Sequence, residues 1–161
     1  MDIHRIRTQH GFTLIELIIV IIVISILAVY VFSSLPVPSL GLATAATQLS
    51  DDIRYTQSLS MTKNQHYRLV KLSASTYQIL NAAGTPIMLA QGTTATLASG
   101  VTFGAWTNLT NNLIAFDGRG IPYINAATTT PLASTATINL TATGGTITVL
   151  ITPQTGRVVV Q

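Results

Sequence analysis

No cysteine occurs anywhere in the 161-residue chain. This absence excludes disulfides, thiolate nucleophiles and metal sites built from cysteine. Charge is also scarce, because Asp, Glu, Lys and Arg together make up only 8% of the residues. The chain must therefore hold its C-terminal part together by packing, and its polar surface must consist mainly of Thr, Ser, Asn and Gln.

The residues that usually carry chemistry are few. Beyond residue 11 the chain keeps one histidine, His66, and four acids, Glu16, Asp51, Asp52 and Asp117. No Ser/His/Asp set, histidine pair or phosphate-loop lysine pattern can be assembled from them. We therefore predict a protein that is not an enzyme and that has no metal or cofactor, with His66 in a structural or solvated position.

Basic residues are distributed unevenly. Arg5 and Arg7 lie near the N-terminus, and no Lys or Arg follows until Arg54. Basic residues at one end of an apolar segment place that end in the cytoplasm, so the C-terminal part is predicted to lie outside it, in the periplasm of a bacterium. Beyond residue 35, six basic and three acidic residues are scattered without forming a run, which favours a solvated surface over a nucleic-acid site.

A long apolar segment dominates the N-terminal part. A helix over residues 12–35 would be roughly 36 Å long, enough to span a bilayer, so we predict a transmembrane helix there. Glu16 lies inside this segment, where a charge costs about 2.5–3.5 kcal/mol. Because no cation follows before Arg54, its partner must come from another molecule. Cleavage between Gly11 and Phe12 would supply one, since Phe12 would then carry a free amine.

The order Gly11-Phe12-Thr13-Leu14-Ile15-Glu16 before an apolar run resembles the class III leader and N-terminal segment of type IV pilins and pseudopilins. The resemblance implies that a prepilin peptidase removes residues 1–11 and methylates the amine of Phe12. It implies that Glu16 pairs with this amine in an adjacent subunit. It further implies other pilins or pseudopilins, an inner-membrane assembly platform and the lipid bilayer as partners.

Two simpler interpretations of the segment remain open. The first is a secretory signal peptide cleaved near Ala43-Thr44-Ala45, although the apolar run exceeds the usual length of about 7–15 residues. The second is a plain membrane anchor in which Gly11 and Glu16 have no special role. Both predict that Glu16→Ala is harmless, whereas the pilin interpretation predicts a variant that inserts but does not assemble.

The remaining sequence, 36–161, predicts an α+β domain. Pro36 and Pro38 predict a kink, after which apolar residues at helical spacing continue to Lys63-Asn64, so one bent helix is expected from Phe12 to about Asn64. Alternating β-branched residues then predict strands with antiparallel turns between them. The predicted strands cover residues 66–72, 76–80, 86–89, 101–104, 113–116, 121–124, 135–141, 146–151 and 157–160.

This second half resembles minor pilins and pseudopilins of the GspH/FimT type, in the helix around Asp52-Ile53-Arg54, in Asp117…Gly120 and in Gly156-Arg157-Val158. The resemblance implies a structural subunit of a type II secretion pseudopilus or a type IV pilus, and the sequence does not separate these two. The alternative is a DNA-binding minor pilin for DNA uptake, with Arg157, Arg119 and Lys71 on phosphates. Nucleic acid is the less favoured partner because cations are few.

Overall fold

The structure, a computed structural model, describes residues 13–34 and 37–161. The chain divides into two compact units, residues 1–36 and residues 37–161. The predicted leader, 1–11, and Phe12 lie outside the described residues, as do Leu35 and Pro36 at the predicted kink. The predicted continuity of one helix through the prolines therefore stays a prediction.

The first unit contains helix α1, Leu14–Ser34. Every side chain from residue 13 to residue 27 is exposed, although most of them are Leu, Ile or Val. A helix that is apolar on all sides is stable in water only when other molecules cover it. The hydrophobic residues from Leu14 to Leu27 are therefore not buried within this unit.

Helix α2, Val37–Lys63, begins the second unit. The apolar stripe predicted from its spacing is confirmed, because Leu42, Ala46, Leu49, Ile53 and Thr56 are all buried. Asn64 ends the helix with a φ of 48°, in the left-handed region that asparagine tolerates better than most residues. The predicted helix end is therefore confirmed.

Two antiparallel sheets follow α2. The five-stranded sheet has the order β3-β2-β1-β5-β6, and the four-stranded sheet has the order β4-β7-β8-β9. The strands are β1 Tyr67–Lys71, β2 Thr76–Leu80, β3 Ala95–Thr96, β4 Thr102–Thr107, β5 Leu113–Phe116, β6 Pro122–Tyr123, β7 Ala136–Ala142, β8 Gly145–Ile151 and β9 Val158–Val160. An N-terminal helix packed on antiparallel sheets confirms the predicted α+β class.

The core lies between α2 and the two sheets. The buried stripe of α2 contacts strands of both sheets, and the inward side chains of β1, β2, β5, β7 and β8 complete the cluster. Alternation of burial along β1 and β7 is the expected result of one face packing on the core. A single α2 thus holds both sheets in place.

The prediction of a strand at residues 86–89 is wrong. This segment makes only isolated bridges, Leu80 with Pro86 and Leu89 with Gly92. Pro86 has no backbone N–H, so a regular ladder along the edge of β2 cannot form there. That edge instead pairs with β3, whose two residues are too few to produce a periodic sequence pattern.

In the turn after β5, Gly120 has a positive φ of 79°, whereas Gly118 does not have a positive φ. Gly118 is required for a different reason. A Cβ at this position would collide with the side-chain amide oxygen of Asn64. Gly118 therefore permits the turn to approach the end of α2 closely.

Candidate assembly interface

Thr13 caps the N-terminus of α1. Its Oγ1 accepts a hydrogen bond from the backbone N–H of Glu16 at 3.3 Å, and its carbonyl accepts one from Leu17 at 3.2 Å. Thr13-Leu14-Ile15-Glu16 has the threonine and glutamate spacing of a capping box. A negative charge in the first turn also interacts favourably with the helix dipole. The N–H of Glu16, at the helix end, is thus satisfied by this chain's own hydroxyl.

The side chain of Glu16 is exposed and is surrounded along α1 by exposed apolar residues. The ion pairs of the described residues join Arg54 to Asp51 and Arg119 to Asp117, so Glu16 takes part in neither. A contiguous exposed apolar surface of this kind is typical of a site that binds lipid or other proteins. Gly11 and Phe12 lie outside the described residues, and their predicted roles stay predictions.

Within residues 13–34 and 37–161, no helix has both the length and the apolarity that crossing a bilayer requires.

A groove of about 620 Å³ runs between α2 and strand β9 in the second unit. Arg54 and Arg157 line it, together with Thr47, Ser50, Gln57 and the strand Val158–Val160. Arg54 donates through Nη1 to Asp51 at 2.9 Å and through Nη2 to the carbonyl of Val158 at 3.0 Å. Arg54 is thus paired with Asp51 on its own helix and in addition joins the helix to the sheet.

Gln57 joins two turns that are distant in sequence. Its Nε2 donates to the carbonyls of Gly120 and Thr155, both at 2.8 Å. Gly156 has a φ of 63°, and a Cβ there would lie 2.6 Å from Nε2 of Gln57 and 2.9 Å from the ring of Phe116. The β5–β6 turn and the β8–β9 turn therefore meet at one residue of α2.

The β5–β6 turn is organised by Asp117. Its Oδ1 accepts hydrogen bonds from the backbone N–H groups of Arg119 and Ile121, both at 2.9 Å, and its Oδ2 pairs with the guanidinium of Arg119. Burial by itself raises the pKa of this carboxyl. The hydrogen bonds from Ile121 and Arg119 and the charge of Arg119 outweigh it, and the pKa falls below its ordinary value.

The three cations predicted for DNA contact are not all together. Arg119 and Arg157 lie on the two turns joined by Gln57. Lys71 lies at the other end of β1, since Tyr67 pairs with Phe116 and Val70 with Leu113. Its Nζ is 5.6 Å from the centre of the Phe103 ring and 6.0 Å from that of Trp106.

Asp52 makes a buried hydrogen bond that the sequence did not reveal. The hydroxyl of Tyr77, whose side chain is fully buried, donates to Oδ2 of Asp52. Burial raises the pKa of Asp52, which the hydrogen bond from Tyr77 only partly offsets. Burial and the bond to Asp52 likewise raise the pKa of Tyr77. The pair joins β2 to α2, which is a structural role.

The remaining titratable groups give no sign of catalysis. His66 is exposed, and its Nδ1 lies 2.9 Å from the hydroxyl of Thr128. In the part of the chain that the structure describes, no three His, Asp or Glu side chains come close enough to hold a metal ion. The described residues instead present two surfaces on which another molecule could bind: the exposed apolar surface of α1 and the groove beside β9.

Sequence reasoning missed the groove and the role of Gln57. The position of Gln57 could have been found from helical spacing, because it lies in the same helical segment as Arg54 and one turn beyond the buried Ile53. Nothing in the sequence indicated that the turns at Gly120 and Gly156 would meet there, since 63 positions separate Gln57 from Gly120.

A family model matches the N-terminal segment. It is described as the prokaryotic N-terminal methylation motif, and it covers residues 6–32. This range includes the predicted cleavage site, Gly11 and Phe12, together with Glu16. No curated protein sequence matches the chain.

Two solved structures have a similar fold. Both are crystal structures of the type IV minor pilin FimU from Pseudomonas aeruginosa, in different space groups. One is 17% identical, with a TM-score of 0.55 over 74% of this chain and 87% of FimU. The other is 16% identical, with a TM-score of 0.52 over 74% of this chain and 92% of FimU. The chain thus combines an N-terminal segment that matches the methylation motif with a fold that is similar to that of FimU.

Proposed function

We propose that the protein is a minor pilin that assembles with other pilins into a type IV pilus. Prepilin peptidase cleaves it between Gly11 and Phe12 and methylates Phe12. The segment 12–35 anchors it in the inner membrane with residues 36–161 in the periplasm, and an inner-membrane assembly platform then adds it to the filament. Its closest rival within the same class is a minor pseudopilin of a type II secretion system.

One observation carries the proposal: an apolar helix with a lone exposed carboxylate lies largely within a matched methylation motif. A charged group at bilayer depth is normally retained for a function and paired. The amine of Phe12 in a neighbouring subunit is the partner that cleavage creates. A minor role is favoured over that of a main subunit by the likeness of the fold to FimU, which is itself a minor pilin.

The test is the intact mass of the protein isolated from its own host. We expect a chain that begins at Phe12 and carries one methyl group on its amine. A Gly11→Val variant should keep residues 1–11 and should be missing from filaments. Retention of the leader in the unsubstituted protein would overturn the proposal, because no free amine would then exist for Glu16.

Pilus and pseudopilus are separated by the phenotype of a deletion strain. If the protein belongs to a type IV pilus, the deletion should reduce surface pili and leave secreted proteins unchanged. The reverse result would assign it to a type II secretion pseudopilus.

A second candidate function is DNA binding during uptake, and it is favoured by one observation. Arg119 and Arg157 lie on turns that Gln57 brings together, and Arg54 lines the same groove as Arg157. Phosphate contacts would make the affinity of the full chain for duplex DNA fall steeply with salt. Removing one contact in Arg157→Gln should lower the slope of log K against log salt by about 0.9. Absence of binding at about 0.15 M salt, or a slope unchanged in Arg157→Gln, would exclude this candidate.

A further inference from the structure

Strand β9 has an open edge that faces the groove. Gln161 and Thr148 exchange two backbone hydrogen bonds, at 2.8 and 2.9 Å, and the pairing then continues with Val159 opposite Leu150. In an antiparallel ladder the residues between such pairs direct their N–H and C=O groups away from the partner strand. The backbone groups of Val158 and Val160 therefore point outward from β8.

Arg54 confirms this direction independently. Its guanidinium reaches the carbonyl of Val158 from the groove side at 3.0 Å. Among residues 13–34 and 37–161, the structure gives no hydrogen-bond partner to the N–H of Val158 or to either backbone group of Val160. Val158 is itself buried, with only 4% of its surface exposed, so the two backbone groups of Val160, which is 37% exposed, are the part of this edge that is available to a strand.

The other sheet edges are protected. Strands β3 and β6 have two residues each, and β6 begins with Pro122, which has no N–H to donate. Strand β4 has an irregular register between Phe103 and Trp106, and the N–H of Phe103 is bonded to the carbonyl of Ala74 at 2.7 Å. Short strands, proline and bulges are the devices that prevent a sheet edge from pairing with another chain. Strand β9 is also short, and α2 protects its first residue, Val158, but the strand contains no proline and its pairing with β8 is regular up to Val160.

The charge around this edge is positive. Arg157 is exposed and makes no ion pair within the described residues, whereas Arg54, which lines the same groove, is already paired with Asp51. An extended peptide that binds here would bring one of its side chains towards the guanidinium group of Arg157. Arginine binds a carboxylate through two parallel hydrogen bonds, so an acidic residue suits the position.

A second copy of this chain is a poor source of that acid. Asp51 is paired with Arg54, Asp117 with Arg119, and Asp52 with the hydroxyl of Tyr77. The remaining acid of the described residues, Glu16, lies in α1 and is assigned above to the amine of Phe12. The carboxylate must therefore come from a different protein.

We propose that the groove between α2 and β9 binds an extended, acid-containing segment of a different subunit, which adds a strand to the four-stranded sheet beside Val158–Val160. Backbone pairing supplies the affinity, and an acidic side chain held by Arg157 supplies the selectivity. This inference rests on the proposed function in one respect, because the partner is taken to be another subunit of the same assembly.

The experiment uses the full chain in detergent micelles and a positional library of N-acetylated hexapeptides rich in Val and Thr. We expect peptides with Asp or Glu at one position to bind about tenfold more tightly than their Asn or Gln counterparts, because a charge-assisted bidentate contact is lost in the amides. Arg157→Gln should abolish this preference. The control Lys63→Gln should retain it, because Lys63 is exposed and does not line the groove.

A second measurement reports on the strand itself. Binding should slow hydrogen exchange at the amide of Val160, and a peptide N-methylated at alternate positions should not bind. The inference is overturned if no acidic preference emerges, if Arg157→Gln leaves it intact, or if exchange at Val160 is unchanged. It is also overturned if duplex DNA binds the groove and excludes the peptides, which would instead support the DNA-binding candidate.

Failure of this inference and failure of the proposed function are distinguishable. Peptide binding is measured on the isolated chain and should be unchanged in Glu16→Ala. Assembly through α1 is tested separately by the intact mass and by filament incorporation. A chain that is cleaved and assembled but binds no acidic strand would therefore reject only the groove.

Discussion

Helix α1 and the domain at residues 37–161 use hydrophobic residues in opposite ways. In α1, the Leu, Ile and Val side chains described are all exposed, from Ile18 at 43% to Leu14 at 76%. In α2, Leu49 and Ile53 are fully buried against two sheets. The second region buries its hydrophobic side chains within its own fold, whereas the described hydrophobic side chains of the first can be buried only by other molecules. Substitutions should therefore separate assembly from stability.

The largest expected effect is at Glu16. In Glu16→Ala the carboxylate that we propose to pair with the neighbouring amine is absent, so we expect loss of incorporation into filaments with the protein still present in the membrane fraction. Filament content and membrane content are measured by immunoblot. Asp51→Asn is the control, since it also removes an acid but lies in the second region. If Glu16→Ala assembled normally, the plain-anchor interpretation would replace the pilin one.

The comparison predicts a large difference between two apolar truncations. Leu49→Ala should lower the free energy of unfolding of the domain by about 3 kcal/mol, because it leaves a cavity in a fully buried site. Ile22→Ala, at a side chain that is 54% exposed, should change it by less than about 0.5 kcal/mol. Denaturant unfolding of both variants measures this. Equal losses would mean that α1 contributes to the core of the domain.

A pair of glycine variants sharpens the account of how α2 meets the turns. Gly156→Ala should lower the free energy of unfolding by about 3 kcal/mol, from left-handed backbone strain together with collisions with Gln57 and Phe116. Gly100→Ala isolates the strain, because its φ is 79° and no atom lies within 4 Å of the added Cβ. We expect about 1 kcal/mol for this control. Similar losses in both would show that the contact with Gln57 is not tight.

The smallest effect concerns pH. Because the pKa of Asp117 is lowered in the folded protein, its contribution to stability is fully present above its ordinary value of 3.8 and is lost as pH falls through the lowered pKa. Asp117→Asn should remove about 1 kcal/mol at pH 7 and progressively less below pH 4. Thermal unfolding of both proteins between pH 2 and pH 7 tests this. Asp52, with its raised pKa, acts in the opposite direction and is present in both.

Local patterns predicted the helices and most of the strands. The stripe from Leu42 to Thr56 and the end at Asn64 follow from helical spacing and from the φ that asparagine tolerates. The strand predicted at residues 86–89 failed because the pattern does not register that Pro86 cannot donate along a sheet edge. The placement of β1 between β2 and β5 depends on pairing between distant residues, which a local pattern does not contain.

The candidate site divides in the same way. Gly11, Phe12 and Glu16 follow one another within six positions, so their spacing could be read directly and matched to a family motif. The groove depends on Arg54 meeting Val158 across 104 positions, and neither residue has a distinctive neighbourhood in the sequence. Contacts of that kind exist only once the chain has folded.

The cap at Thr13 determines what a substitution at Glu16 does to the helix. Because the hydroxyl of Thr13 already serves the main-chain N–H of Glu16, the carboxylate is not required to keep the first helical turn closed. It is thus available to an incoming subunit without unwinding its own backbone. A neutral residue at this position would produce a well-formed helix that no longer recognises its neighbour.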